Sequence, residues 1–196
     1  WIKENLPERF SSACHYFSPN DYLIARLSNE PITDTFNAQK FYFDTNTCSY
    51  PEALYMDFGV PLSRLPAVVP PGTEAGLIDR SVANELGLPV MTQIIVSTYD
   101  AICAYYGSGC SKVGQACDVS GTVTSLRVRT SKIAEQLPNK LSIMCIDGSD
   151  DKIVGGSNNL GGGLIEWLKQ AFYKGSSAPY LEMESEASEV AAGAGG

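Results

Sequence analysis

Residues Ile94 to Ser125 read IIVSTYDAICAYYGSGCSKVGQACDVSGTVTS, and this stretch decides how the rest of the chain is read. The β-branched run Ile94-Ile95-Val96 predicts a buried strand. Asp100 falls just past its end, before the apolar segment Ala101 to Tyr106. In open α/β sheets the ligand crevice lies outside the carboxyl ends of the strands, so an acid at such a strand-to-helix turn points toward it. Further on, Ser120-Gly121-Thr122 forms a turn whose backbone N–H groups and hydroxyl could receive a phosphate. Both features have plainer explanations: an acid before a helix is commonly an N-cap, and a Gly-Thr pair between strands is commonly a hairpin turn.

Working outward, composition narrows the classes. The chain has 196 residues, 44% hydrophobic and 18% charged, which suits one large globular domain or two small ones. No apolar run approaches the roughly 18 residues needed to span a bilayer, so no membrane association is expected. A net charge of −8 argues against a nucleic-acid partner, whose phosphates call for clustered Lys and Arg. WIKENLPERF lacks a basic region followed by an apolar one, so no secretory signal is read. It opens inside a helical pattern without Met, and the expectation is a piece of a longer protein. The six cysteines, Cys14, Cys48, Cys103, Cys110, Cys117 and Cys145, sit among apolar neighbours and read as buried free thiols of a cytoplasmic protein. Cys103, Cys110 and Cys117 recur every seven residues, but no CxxC or Cys–His spacing accompanies them, and no metal site is assigned. His15, the one histidine, reads as a surface or satisfied helix residue.

Toward the N-terminus, helical periodicity places Phe10, Cys14 and Phe17 on one face. Ser18 and Asp21 then cap a second helix carrying Tyr22, Leu23, Ala25 and Leu27, broken at Asn29-Glu30-Pro31. Thr33-Asp34 to Phe43 reads as a polar and aromatic segment ending in the Asp44-Thr45-Asn46 turn. Ser49 to Phe58 is helical up to Gly59-Val60-Pro61. Leu65 to Gly76 is too proline-rich for a central strand and reads as an extended connector. Ser81 to Leu86 is a short helix closed by Gly87.

Beyond Gly107-Ser108-Gly109 the pattern turns strand-like. Val113 to Val119, Thr122 to Thr130, Ser142 to Ile146 and Lys152 to Val154 suggest a meander punctuated by turns at Asp147-Gly148 and Gly155-Gly156. This change near residue 110 marks the expected domain boundary. Gly161-Gly162-Gly163 precedes an amphipathic helix with Leu164, Leu168 and Phe172 on one face; its glycines suit either a flexible turn or a phosphate cradle. Tyr180 to Val190, with four glutamates, reads as a solvated helical face.

Taken in order, these segments resemble the FGGY family of carbohydrate kinases. The resemblance rests on Asp21-Tyr22-Leu23 and Leu27, Thr33-Asp34, Asn37-Ala38, Leu65-Pro66, Gly72 to Gly76, Gly87-Leu88-Pro89-Val90, the Asp100 turn, Gly107 to Gly109, Gly121-Thr122, Gly155-Gly156, Gly161-Gly162 and Trp167. It implies an α/β chain of the actin-like ATPase (ribonuclease H-like) fold, spanning parts of two domains around a cleft. Residues 1–109 would be the later half of the N-terminal, sugar-binding domain, and 110–196 the start of the C-terminal domain. The implied activity is ATP-dependent phosphorylation of a sugar or polyol hydroxyl, with Mg²⁺. In it Asp100 is the general base, Asp100 and Ala101 meet the substrate, and Gly121 and Thr122 hold the terminal phosphates of ATP. A homodimer is left open.

Several positions depart from the family pattern. Ser97-Thr98-Tyr99 stand where Gly-Gly often precedes the acid. Ala101, rather than Asn or Gln, follows it, which tilts the expectation toward a ketose such as xylulose or ribulose, or a related polyol. Val123 replaces the usual Ser. The family's DxGTxxxR motif and its adenosine-binding motif are both absent, so the chain alone should not catalyse. The alternative expectation is a non-catalytic sugar- or nucleotide-binding member of the same fold.

Overall fold

A computed structural model describes residues 1–134 and 140–195. Local chemistry sets most helix boundaries. After two short helices, α1 (Ile2–Asn5) and α2 (Pro7–Ser12), the Ser18 hydroxyl accepts from the Asp21 N–H. The Asp21 carboxylate accepts from the Ser18 N–H in return, and this capping box starts α3 (Pro19–Ser28). Asn29, at φ 64°, ends it. Strand β1 (Ile32–Asp34) runs straight into α4 (Thr35–Gln39), whose first N–H groups are received by the Asp34 carboxylate. Helix α5 (Glu52–Phe58) stops at Gly59, and a single 3-10 turn spans Leu62–Arg64.

Strands β2 (Ala67–Val69) and β3 (Glu74–Leu77) follow, then α6 (Arg80–Leu86), capped by Asp79 and ended by Gly87 at φ 68°. Strand β4 (Gln93–Ile95) leads to α7 (Asp100–Gly107). The remainder comprises β5 (Ala116–Ser120), β6 (Thr124–Thr130), β7 (Ser142–Ile146), β8 (Ser149–Asn158), α8 (Gly162–Phe172) and α9 (Pro179–Ser188). Among the described residues no helix is long and apolar enough to cross a membrane.

Among the described residues three sheets result: β1 beside β2 in parallel, β3 beside β4 antiparallel, and a four-stranded antiparallel sheet in the order β5-β6-β8-β7. One core cluster gathers Phe36 of α4, Ile102 and Tyr105 of α7, Cys110, Cys117 of β5, Met144 of β7 and Ile153 of β8. A second joins Ile24, Ala75 and Val96, with Ile32, Val69 and Ile94 against it. Helix α7 contributes to the first cluster alone. Ile102 and Tyr105, at i and i+3, are fully buried on one side, a burial worth about 1.5–3 kcal/mol per side chain.

The structure corrects several expectations. Helix α2 ends at Ser12, so Cys14 and Phe17 lie beyond it and share no helix face with Phe10. The proline-rich connector holds two strands, because Pro66 and Pro70 flank Ala67–Val69 rather than interrupt it. Strand β4 is only partly buried: Ile95 is exposed and the buried residue is Val96, just after it, since a two-stranded antiparallel pair covers one face.

The strand-rich part is not a meander, because β6 pairs with β8 and leaves β7 at the far edge. Gly155-Gly156 is no turn but the interior of β8, opposite Arg127 and Leu126. A Cβ at Gly155 would run into the Leu126 carbonyl oxygen and lie 2.8 Å from Arg127 Cγ. All six cysteines are free, yet only Cys110 and Cys117 are buried; Cys14, Cys48 and Cys103 are exposed and Cys145 is half-buried. His15 is exposed outside any helix, stacked on Phe17. The apolar face of α8 is also exposed, with Leu164, Ile165, Trp167 and Phe172 uncovered by the described residues.

The close approach at Gly155 is testable. Gly155→Ala should lower the thermal midpoint sharply, through a destabilisation of about 1–3 kcal/mol from overpacking within a paired strand. Gly175→Ala, where a Cβ meets nothing within 4 Å, should be near neutral. Equal midpoints for the two variants, measured by thermal unfolding, would contradict this packing.

Candidate active site

Asp100 is the first residue of α7, and the N-cap is Tyr99, which makes no side-chain cap bond. The acid is therefore not the cap. Its side chain is exposed and accepts from the Ala101 N–H at 2.7 Å through Oδ1, while Oδ2 has no hydrogen-bond partner among the described residues. A carboxylate in the first turn of a helix is favoured by the backbone dipoles there. Ala101 sits half-buried behind it. Of the three bulkier residues before the acid, Ser97 is exposed and Thr98 is buried, its carbonyl accepting from the Cys103 thiol at 3.3 Å. Tyr99 is turned onto the four-stranded sheet, where its hydroxyl donates to the Met144 sulfur.

The base of this site is built by α4. Asp34, 1% exposed, accepts from the Phe36 N–H at 2.9 Å, the Asn37 N–H at 3.2 Å and the Asn37 side-chain amide at 2.6 Å. Thr35 donates to Asp147 in the β7–β8 turn. Gln39 pairs with the backbone of β7 in both senses: its amide donates to the Cys145 carbonyl at 3.1 Å and its oxygen accepts from the Cys145 N–H at 2.7 Å.

Lys40 follows. Its ammonium lies 3.1 Å from the centre of the Tyr99 ring and donates to Asn37 Oδ1 at 3.3 Å. Partial burial lowers the Lys40 pKa below the ordinary lysine range; Asp34 and then Asp100 oppose this, Arg127 of β6 adds to it, and Asp21 opposes it. The Tyr99 phenol is pushed up, chiefly by burial.

Gly121-Thr122 is the hairpin turn between β5 and β6. The Gly121 N–H donates to the Val123 carbonyl at 2.9 Å, while the Thr122 N–H and hydroxyl have no partner among the described residues. The glycine loop before α8 closes onto this turn: the Gly161 N–H donates to the Thr122 carbonyl at 3.1 Å and the Gly162 N–H to the Gly121 carbonyl at 2.6 Å. A Cβ at Gly161 would lie 2.7 Å from the Gly121 oxygen, so only glycine lets the two backbones meet. The two glycine-rich segments thus form one double turn at a helix N-terminus. No hydrogen bond or ion pair links Asp100 to Gly121 or Thr122 among the described residues.

Gln39 and Lys40 carry no motif and were not marked by the sequence reading, and Tyr99 was marked only as a departure from the family pattern before the acid. The available signal was thin: Lys40 is the one lysine between Lys3 and Lys112, three residues after Asn37. Among the described residues no group of three His, Cys, Asp or Glu side chains is placed to hold a metal.

The model of the N-terminal domain of the FGGY family of carbohydrate kinases matches residues 1–107. An L-fuculokinase of Escherichia coli (strain K12) is 27% identical over 199 residues; the alignment covers 100% of this chain and 42% of that protein, so the chain spans less than half of the relative's length. Among solved structures, a gluconate kinase from Lactobacillus acidophilus matches with a TM-score of 0.86 at 22% identity, covering 98% of this chain and 39% of that one. A ligand-bound xylulose kinase from the same organism matches with a TM-score of 0.83 at 22% identity, covering 98% and 39%. These likenesses show an α/β chain with the fold of part of such a kinase. The family match spans more than half of the sequence, and the chain belongs to the FGGY family of carbohydrate kinases.

Proposed function

We propose that the protein carrying this chain transfers the terminal phosphoryl group of ATP to a hydroxyl of a sugar or polyol, with Asp100 as general base and Ala101 beside the substrate. On this reading residues 1–109 supply the sugar-binding side and 110–196 the nucleotide-phosphate side of a cleft. The observation that carries it is the Asp100 carboxylate: exposed, in the first turn of α7, with one oxygen held by the Ala101 N–H and the other without a partner among the described residues. A base in that position accepts the proton of the attacking hydroxyl. The sugar oxygen forms a bond to phosphorus, the bond from phosphorus to the bridging oxygen breaks, and its electron pair leaves with ADP.

The phosphate side fits a nucleotide's terminal phosphates on backbone grounds. The Thr122 N–H and hydroxyl stand unengaged at a turn that two glycines keep open. Val123 removes one hydroxyl there without removing a backbone donor. Mg²⁺ of a nucleotide site is held by one or two carboxylates together with phosphate oxygens and water, so it would enter with ATP; among the described residues no group of three ligating side chains is placed to hold it alone. A ketose acceptor, xylulose or ribulose, is favoured by Ala101 next to the acid. The fuculose and gluconate named for relatives widen the range to test.

In the full-length protein, Asp100→Asn should lower ATP consumption with xylulose, ribulose, fuculose or gluconate by about 10²–10⁴-fold while the thermal midpoint stays near that of the parent. Undiminished sugar-dependent consumption would refute the base assignment. Binding of a sugar by the parent without any ATP consumption across the panel would mark a non-catalytic member instead.

Thr122→Val should raise the KM for ATP about tenfold, the worth of one hydrogen bond to a charged group, with the sugar KM unchanged. A rise confined to the sugar KM would remove the phosphate role from this turn.

A further inference from the structure

Lys40 ends α4 outside every motif, yet its ammonium is held in place twice. Asn37 Oδ1 accepts from it at 3.3 Å, and the Tyr99 ring faces it at 3.1 Å. Neither support is loose. Asn37 is fixed by the buried Asp34 carboxylate at 2.6 Å, and the Tyr99 ring is anchored through its hydroxyl to Met144. Tyr99 and Asp100 are consecutive, so the ring that seats the cation and the carboxylate with a vacant oxygen are positioned by the same helix start.

An ammonium has three donors and no acceptor. Asn37 takes one N–H and the ring face attracts the charge, which leaves a donor to spend on an outside oxygen. A carboxylate that accepts from one hydroxyl and an ammonium that donates to the next oxygen together complement a vicinal diol. Glycine at position 99 would offer no ring to seat the lysine. The tyrosine that departs from the family pattern therefore seats a cation on the residue that precedes the acid.

We propose that Lys40 is a substrate-binding residue of the Asp100 site, donating to the oxygen adjacent to the hydroxyl that Asp100 deprotonates, with Tyr99 as the residue that positions it. The proposal rests on the kinase reading above and deepens it by naming a vicinal hydroxyl pair as the recognised group.

The charge on Lys40 adds a pH signature. The groups that face it are Asp34 at the head of α4, Asp100 and Tyr99 at the start of α7, Arg127 of β6 and Asp21 of α3. Burial outweighs the carboxylates and lowers its pKa, so the cation is present at neutral pH and is lost, as pH rises, earlier than on an ordinary lysine. Sugar binding should weaken over that same alkaline interval.

The test uses full-length protein and a fixed panel of xylulose, ribulose, fuculose and gluconate. In the Asp100→Asn background, calorimetric binding of the panel sugar held most tightly should weaken about tenfold to a hundredfold on adding Lys40→Met, with Lys40→Arg recovering most of it. With Asp100 intact, Lys40→Met should raise the sugar KM by a similar factor, lower kcat less, and leave the KM for ATP unchanged. Lys40→Arg should shift the alkaline rise in sugar KM to higher pH, because guanidinium stays charged there. Tyr99→Leu should give a weaker version of the Lys40→Met phenotype.

Unaltered sugar binding in Lys40→Met, or equal rises in the KM for sugar and for ATP, would overturn the proposal. The two readings fail separately. An active Asp100→Asn enzyme strikes the general-base assignment, whereas an inactive Asp100→Asn with Lys40→Met binding sugar normally strikes only the role of Lys40.

Discussion

The carboxylate of Asp34 is the interaction on which the arrangement turns. It is buried, and it is satisfied by three N–H donors from the helix it begins. Hydrogen bonds to a charged group are worth about 1.5–3 kcal/mol each, and an unpaired donor left behind costs a comparable amount. Because Asp34 fixes where α4 begins and how it is aimed, it fixes three contacts at once: Thr35 on Asp147, Gln39 on Cys145 and Lys40 on Tyr99. A five-residue helix has little stability of its own. Its end groups and its docking hold it.

Helix α7 does for the acid what α4 does for the lysine. Its inner face, Ile102 and Tyr105, is locked into the core cluster that also contains Cys117, Met144 and Ile153, so its first turn cannot drift relative to the four-stranded sheet. The exposed end of a buried helix is a sound place for a reactive group, since packing supplies the rigidity and solvent supplies the access. On the sheet side, rigidity comes instead from the absence of side chains. Gly161 and Gly162 let one loop lie against the carbonyls of Gly121 and Thr122, and Gly155 lets β8 lie close to β6.

What was legible in the sequence was local. The Ser18 and Asp21 caps, the stops at Gly59 and Gly87 and the existence of α7 each depend on residues within one or two helical turns. The ordered series of segments also carried the family, which residues 1–107 bear out. What was not legible depends on partners far along the chain. Gly155-Gly156 has the composition of a turn; the reason it lies inside a strand is the Leu126 carbonyl, supplied by another segment. Ala67–Val69 is a strand because Ile32–Asp34 lies beside it, and two flanking prolines disguised that. The Lys40 and Tyr99 pair is 59 positions apart in sequence, and neither residue has a neighbour that announces the other.

The side-chain amide of Gln39 has a mechanical meaning. It occupies both backbone groups of Cys145 on β7, an edge strand of its sheet, and so ties an early helix to a late strand across 106 positions of chain. Sliding α4 along that edge breaks both bonds together. Thr35 on Asp147 ties the same helix to the turn beside Cys145, so two anchors hold α4 against the β7 edge, and a helix too short to persist alone is clamped at both its ends.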